Sequence, residues 1–184
     1  MEPNEPDVFA VSRSDKHTFS KVNVDSIELV YDFGVVGDAH AGKKVKHLYL
    51  AKKDPSRKNI RQVHLIPMEL LDEMQNKGYP VLPGQLGENI TTRGIDLAGL
   101  PVGTRLRIGD VAIVQLTALR NPCVQIEQFR KGLLKELVFK NEQGETIRKA
   151  GVMGVVLAGG QVKPKDKIEV VLPDMPHSEL EYIW

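Results

Sequence analysis

The chain has 184 residues, a net charge of +1, 41% hydrophobic residues and 27% charged residues, which is the composition of an ordinary globular protein. This length fits one domain with a sizeable hydrophobic core, and it is too short for two domains of typical size. No run of 18 uncharged apolar residues occurs, so we expect no membrane span. The N-terminus is acidic and lacks the apolar core of a secretory signal, and there is a single cysteine. Together these features predict a cytoplasmic protein.

Short runs of β-branched and aliphatic residues, separated by glycines and prolines, dominate the chain and predict strands. In chain order the predicted strands are 8–11, 26–31, 63–66, 104–108, 111–116, 152–157 and 167–172. Gly109-Asp110 lies between two of them and is typical of a tight hairpin. Many short strands with turn signals favour a mainly β (α+β) fold, either a barrel or a folded sheet, over alternating βαβ units.

Two helices interrupt this pattern. The first opens at Pro67, carries an apolar face and ends at Gly78. The second opens at Pro122, and its apolar stripe consists of Ile126, Phe129, Leu133, Leu134 and Leu137. We expect residues 1–6 to be a disordered N-terminus, 7–173 to form one domain and 174–184 to be a loosely held C-terminal tail, whose last three residues can dock on a partner or on the domain.

Charge is unevenly distributed along the chain. Eight basic residues and one acid, Asp54, lie between Lys43 and Arg61, a local excess of +7. From Ile168 to the end there is no Lys or Arg, and four residues are acidic. The basic stretch indicates either an anionic partner or a loop kept soluble by its lysines.

The only cysteine, Cys123, follows Pro122 at the predicted helix start. Backbone N–H groups there favour the thiolate, which is the form that attacks electrophiles and binds soft metals, and Arg120 adds a positive charge nearby. The alternative is a small buried hydrophobic residue. With no second cysteine, an internal disulfide and a cysteine-rich metal site are both excluded.

Two glycine-flanked segments carry polar side chains that can contact a ligand. In 37–42, Asp38 and His40 can orient a ligand or a metal, or Asp38 can cap its own backbone turn. In 84–95, Asn, Thr and Arg side chains suit recognition of a heterocycle edge or a phosphate, although this segment can also be an irregular strand crossing. Nothing resembles a nucleotide-hydrolysing phosphate loop.

Taken in order, several segments resemble the MOSC domain, the family named from the C-terminal domain of molybdenum cofactor sulfurases. The resemblance runs from about Asp7 to Pro173. The segments that carry it are 37–42, 61–63, 87–97, 102–109, 121–123 and 151–160. Their order along one chain makes the resemblance strong, although each is weak alone.

The resemblance implies a mostly antiparallel β-barrel with flanking helices. It also implies that Cys123 carries sulfur for the molybdenum cofactor or is a ligand of its molybdenum, as thiolates prefer soft metal centres. The same resemblance assigns cofactor binding to Arg61, Asn89, Thr91, His40, Lys16 and Arg120. A phosphate-bearing pterin would give the basic stretch a ligand.

The chain carries no recognisable pyridoxal-phosphate desulfurase module and none of the redox domains found in some relatives. We therefore expect it to need a partner, either a cysteine desulfurase or an electron-transfer protein, and to act on a small-molecule cofactor or substrate. The function expected is either reduction of N-hydroxylated compounds or sulfur transfer through a persulfide on Cys123. The rival hypothesis is a non-catalytic module that binds an anionic partner through 43–61; specific nucleic-acid binding is disfavoured because the stretch has few aromatic residues.

Overall fold

Thirteen short strands, four α-helices and one 3-10 turn make up the part of the chain described by the computed structural model, residues 5–183. The strands are β1 (Asp7–Arg13), β2 (Val22–Val24), β3 (Ile27–Val30), β4 (Gly34–Val35), β5 (Val63–Pro67), β6 (Ile90–Arg93), β7 (Arg105–Ile108), β8 (Ala112–Leu119), β9 (Val138–Lys140), β10 (Thr146–Arg148), β11 (Val152–Ala158), β12 (Gly160–Val162) and β13 (Ile168–Val171). The helices are α1 (Leu48–Lys53), α2 (Met68–Asn76), α3 (Val124–Phe129) and α4 (Leu133–Leu137), and the 3-10 turn is Leu97–Gly99. Within the described residues no helix has the length and apolarity needed to cross a membrane.

Eight of the strands form the main sheet, in the order β13-β7-β8-β11-β5-β6-β1-β2. All neighbouring pairs are antiparallel except β5 and β6, which are parallel and are connected through α2. Strand β11 is the central link, because it pairs with β8 on one side and β5 on the other. The described residues also form a three-stranded sheet, β12-β3-β4, and a β9-β10 hairpin.

Within residues 5–183 the main sheet is open, so the closed barrel expected from the resemblance is not found there. Its two ends do meet at one point, where Asp7 forms an isolated bridge with Lys167 and the Val8 N–H donates to the Asp166 carbonyl at 2.8 Å. Strand β6 already pairs with one edge of β1, and β2 occupies the other edge over Val11–Arg13. Only the beginning of β1 is left for β13, and continuous closure is therefore prevented.

All seven predicted strands are present, with bounds shifted by one to three residues, and the helix predicted from Pro67 is α2. The second predicted helix is divided into α3 and α4, because Gly132 adopts φ +86° and breaks the helical path. Cys123 is the N-cap of α3, so the helix begins one residue after it and not at Pro122. Helix α1 and strands β2, β4, β6, β9, β10 and β12 were not predicted.

Two apolar clusters stabilise the fold. The larger lies between the main sheet and the β12-β3-β4 sheet, and Leu29, Leu65, Leu106 and Leu116 are among its fully buried members. The smaller lies between the end of β5 and helices α2, α3 and α4, with Leu71 and Met74 at its centre. The beginning of β5 and the residues before α3 therefore lie at the boundary between these two apolar clusters.

The C-terminal segment contacts the domain at Leu180, Glu181 and Tyr182, and Tyr182 is one of the three residues expected to dock on a partner or on the domain, whereas residues 174–179 are exposed. Leu180 is buried in the larger cluster. The Leu119 N–H donates to the Glu181 carbonyl at 2.9 Å, and the Tyr182 hydroxyl donates to the Arg148 carbonyl at 2.6 Å. Most of the N-terminus predicted to be disordered, residues 1–4, and the final residue Trp184 lie outside the described residues.

If this docking stabilises the domain, Leu180→Ala should lower the free energy of unfolding by about 2–3 kcal/mol, the lower part of the range for burial-to-cavity changes. The matched control is Met175→Ala in the same segment, because Met175 is 76% exposed and its loss should cost less than about 0.5 kcal/mol. Urea denaturation of both variants measures the difference. Equal effects would mean that the segment contributes nothing to the core.

Candidate functional site

A cavity of about 320 Å³ opens at the boundary between the two clusters. It is enclosed by the loop before β2, the segment that contains α1, the start of β5, the segment before β6 and the residues between β8 and α3. The lining residues that bear on its chemistry are His17, Lys21, His40, Lys46, His47, Arg61, His64, Asn89, Arg120, Asn121 and Cys123. Arg61, Asn89 and Cys123, separated by 28 and 34 residues in sequence, thus line one cavity.

The lining is strongly cationic. It contains two lysines and two arginines, and no Asp or Glu is found among the described residues that line it. Its histidines add little charge, because burial lowers the pKa of His64 well below 6.5 and, with the nearby charge of Arg61, lowers the pKa of His47 to about 4. None of the ion pairs within residues 5–183 involves Arg61, Arg120 or Lys46. A concave surface with positive charges that are not neutralised attracts and concentrates anions.

Asp38 lies beneath this surface and connects several of its walls. Its carboxylate is buried and lies 2.8 Å from the equally buried ammonium of Lys21. It also accepts hydrogen bonds from Asn89 Nδ2 at 3.0 Å and from the backbone N–H groups of His40 at 3.0 Å and Ser14 at 3.3 Å. Burial alone would raise the pKa of Asp38, but the hydrogen bond with His40 and the charge of Lys21 hold it well below its usual range. The alternative in which Asp38 caps its own turn is thus realised together with long-range contacts.

Asn89 is part of the framework of the cavity. Its Nδ2 donates to the Ser12 carbonyl as well as to Asp38, and its Oδ1 accepts from the His64 N–H at 3.2 Å. Both amide hydrogens and the amide oxygen are therefore used within the protein. Asn89 thus lines the cavity and also fixes β5 relative to the end of β1, and its contact with a cofactor stays a prediction.

Two buried donors that line the cavity have no partner within the described residues, Arg120 Nη1 and Asn121 Nδ2. An unpaired buried donor costs about 1–3 kcal/mol, more when it is charged, so such donors point to a missing acceptor. Burial lowers the pKa of Arg120, and the neighbouring Cys123 and Glu88 oppose the shift. Burial and the like charges of Arg120 and Arg57 lower the pKa of Arg61 to about 10. An anion in the cavity would relieve the unfavourable state of both guanidinium groups.

Cys123 lines the same cavity and is partly exposed. As the N-cap of α3 it has extended backbone angles, and its carbonyl accepts the first N–H of the helix, from Ile126, at 3.0 Å. The thiol lies 3.6 Å from Gln125 Oε1 and also forms a side-chain hydrogen bond with Arg120, whose Nη1 has no partner within the described residues. It is therefore not packed in the apolar core, and it contacts a residue that lines the same cavity.

Two of the residues expected to bind a cofactor do not line the cavity. Lys16 is exposed outside it, and the neighbouring His17 and nearby Lys21 line it instead. Thr91 is fully buried and donates to Glu88 Oε1 at 3.2 Å, where the Gly84 N–H also donates. The polar segment 84–95 is thus partly a buried framework, and burial raises the pKa of Glu88 within it.

Close backbone approach explains one of the glycines in this segment. Gly87 has φ +88°, and a Cβ placed there would lie 2.7 Å from the Phe19 carbonyl oxygen. A larger residue would push away the loop before β2, which carries His17, Thr18 and Lys21 into the cavity.

Sequence reasoning missed Lys21, His17 and His47. Lys21 stands alone in sequence, and only its ion pair with Asp38 shows its position. His47 could have been found, because it lies within the basic stretch that was recognised. The histidines do not form a metal site on their own: within residues 5–183 no group of three or more His, Cys, Asp or Glu side chains could hold a metal ion. A metal here would need most of its ligands from a cofactor.

The buried Lys21–Asp38 pair yields a stability prediction. Asp38→Asn leaves the Lys21 ammonium buried without its counter-ion and should cost about 3–5 kcal/mol of unfolding free energy. The control is Lys21→Met combined with Asp38→Asn, which removes both charges and should recover most of the loss. Urea denaturation at neutral pH measures both. A double variant as unstable as the single one would assign the effect to the lost hydrogen bonds of the carboxylate.

A second prediction concerns pH. His64 is buried, its Nε2 lies 2.8 Å from the Ala150 carbonyl oxygen, and burial lowers its pKa well below 6.5. Below pH 6.5 the imidazole of His64 is therefore protonated in the unfolded chain and neutral in the folded chain. Because the unfolded state then binds more protons, the unfolding free energy should fall as the pH decreases from 7 to 5. His64→Gln should flatten this dependence by up to about 1.4 kcal/mol per pH unit. The exposed His177→Gln is the control and should leave the slope unchanged.

Comparison with known proteins agrees with this architecture. The crystal structure of the YUAD protein from Bacillus subtilis is similar with a TM-score of 0.69 and 24% identity, covering 90% of this chain and 94% of that one. YiiM from Geobacillus stearothermophilus has a TM-score of 0.59 and 16% identity, with coverage of 90% and 75%. YiiM from Escherichia coli has a TM-score of 0.56 and 18% identity, with coverage of 93% and 72%. At these identities the likeness establishes the fold alone.

Sequence comparison with curated proteins found no match. The family model of the MOSC domain, in contrast, matches residues 39–169, which include His40, Arg61, Asn89, Arg120 and Cys123. Because this match covers more than half of the 184 residues, the chain belongs to the MOSC domain family.

Proposed function

We propose that the cavity holds a molybdenum cofactor of the molybdopterin type and that Cys123 supplies a thiolate ligand to its metal. The observation that carries this proposal is the pair of unpartnered donors, Arg120 Nη1 and Asn121 Nδ2, in a cationic cavity that also contains the thiol. Membership of the MOSC family supports the choice of cofactor.

The residues of the cavity fit such a group. A phosphate-bearing pterin is an anion, and the guanidinium groups of Arg61 and Arg120 suit bidentate contacts to phosphate oxygens. Asn121 offers a neutral donor, and thiolates prefer soft metal centres. Cys123 would be the single protein ligand, which is consistent with a cofactor that brings its own sulfur ligands.

When bound, the cofactor would supply two-electron chemistry, and we propose N-hydroxylated compounds as the substrates and an electron-transfer protein as the reductant. The protein's part is to bind and orient. Lys21 and Asp38 fix the loops that enclose the cavity, and Arg61 and Arg120 hold the anion. His40 lies at the wall with its Nδ1 3.5 Å from Asp38 Oδ1, and a carboxylate at this position orients the ring.

A second candidate is sulfur transfer, in which Cys123 carries a persulfide received from a cysteine desulfurase. The partial exposure of the thiol favours it, because a carrier thiol must be reached by two partners in turn. The two candidates differ in what stays on the protein: molybdenum and pterin in the first, labile sulfane sulfur in the second.

The test begins with protein purified from a molybdenum-replete host, with molybdenum, pterin and sulfane sulfur measured on each variant. Cys123→Ser should lose molybdenum while its melting temperature stays close to that of the unaltered chain. Sulfane sulfur without molybdenum would select the carrier function. Neither species, together with steep salt-dependent binding of polyanions that is indifferent to Cys123→Ser, would select the non-catalytic anion-binding module.

A matched pair of substitutions tests how the anion is held. Arg61→Ala should weaken cofactor retention by about 1.5–3 kcal/mol, the scale of a hydrogen bond to a charged group. Lys52→Ala removes the same charge from the exposed end of α1, outside the cavity lining, and should mainly change the salt sensitivity of binding. The measurement is the cofactor content and affinity of both variants at two salt concentrations. Equal losses of affinity in the two variants would indicate that a diffuse electrostatic surface holds the anion.

A further inference from the structure

Two exposed surfaces of this chain have opposite charge and similar apolar content. The basic face comprises Lys43, Lys44, Lys52 and Lys53 with Leu48 and Tyr49, on and around α1. The acidic face comprises Asp174, Glu179 and Glu181 with Leu172 and Met175, in the docked C-terminal segment. We propose that the two faces bind each other between two copies of this chain, related by a twofold axis.

Both faces expose large apolar side chains. Leu48 and Tyr49 are 66% and 63% exposed on the basic face, and Leu172 and Met175 are 51% and 76% exposed on the acidic face. Helix α1 is held to the domain by Leu50, which is buried, so its exposed residues are presented on an anchored element. Leu48 and Tyr49 also belong to the lining of the cavity, so the basic face adjoins the candidate site. Clustered exposed apolar side chains bordered by charge are typical of protein interaction sites.

The charges on each face are not neutralised within the molecule. Within residues 5–183, no ion pair involves the four lysines of the basic face or the three carboxylates of the acidic face. The one acid in the basic stretch, Asp54, accepts hydrogen bonds from Ser56 N–H and Oγ at 3.0 and 2.6 Å. The acidic segment is anchored elsewhere, at Leu119 and Arg148.

A second copy satisfies both faces at once. In a twofold dimer, contact of the basic face of one copy with the acidic face of the other implies the reciprocal contact, so each dimer contains two such contacts. Complementary potentials of this kind favour association and fix the register of the partners. An unrelated acidic protein would satisfy the basic face alone and leave Leu172 and Met175 exposed.

The experiment is sedimentation or light scattering of the purified chain at about 50 mM and about 500 mM salt, where screening lengths differ several-fold. We expect a dimer at low salt whose dissociation constant rises at least about tenfold at high salt, equal to about 1.4 kcal/mol. Lys52→Glu with Lys53→Glu should raise it similarly at low salt, and so should Glu179→Lys with Glu181→Lys.

An equal mixture of these two double variants is the decisive sample, because in the mixed dimer the reversed charges at positions 52 and 53 of one copy meet the reversed charges at positions 179 and 181 of the other, and the dimer should return. The matched control, Lys163→Glu with Lys165→Glu, makes the same charge change on exposed residues outside both faces and should leave dimerisation unchanged. Melting temperatures establish that all variants are folded. A monomer at low salt, or a mixture that stays monomeric, would overturn the proposal. A monomer that binds polyglutamate through Lys52 and Lys53 would also overturn it and assign the basic face to a different acidic partner.

Discussion

The carboxylate of Asp38 is the point on which the cavity depends, because it accepts hydrogen bonds from four separate positions of the chain. Lys21 enters from the loop before β2, Asn89 from the approach to β6, and Ser14 from the end of β1. His40 belongs to its own loop. A buried carboxylate with this many donors stays ionised and fixes the positions of its donors at the same time. The walls of the cavity are therefore set by one charge that does not itself line the cavity.

This arrangement explains how the cavity keeps its positive charge. Positive side chains in proteins are usually neutralised by nearby carboxylates, but here Asp38 and Glu88 lie behind the lining. Asp38 is satisfied by other donors, whereas burial raises the pKa of Glu88, whose Oε1 accepts from Gly84 and Thr91 and whose Oε2 has no partner within the described residues. Within residues 5–183, Arg61 and Arg120 therefore line the cavity without an ion pair. Holding like charges together in this way costs stability, and the two rigid apolar clusters on either side provide the framework that tolerates it.

The sequence allowed much of this fold to be predicted, because strands such as β8 and β11 are local runs of β-branched residues. The open sheet could not be predicted, since closure depends on which strand pairs with the free edge of β1. That strand is β2, and its three residues are too few to form a recognisable strand pattern in the sequence. Gly132 indicates the break between α3 and α4, but the apolar residues Ile126 and Phe129 before it and Leu133 after it continue at helical spacing and favour one longer helix.

The candidate site was predictable where residues combine unusual chemistry with family-like spacing, as Cys123, Arg61 and Asn89 do. Their convergence on one cavity follows from long-range pairing that no local pattern contains. Thr91 and Asn89 illustrate the limit, since polar side chains in a glycine-flanked segment look the same in sequence whether they meet a ligand or another side chain. Lys21 shows the same limit from the other side, because nothing in the sequence around it indicates a site. Its role is visible only in the structure, where it forms a buried ion pair with Asp38.

The central position of β11 has a consequence for synthesis of the chain on the ribosome. Until residues 152–158 emerge, β5, β6, β1 and β2 on one side and β7 and β8 on the other have no strand that joins them. The facing edges of β5 and β8 and the outer edge of β7 therefore stay unpaired until later residues are made, and strand edges of this kind are sites of aggregation. Once β11 is in place, the Val156 N–H donates to Gln62 Oε1 at 3.0 Å, and β11 adds Met153 to the lining of the cavity.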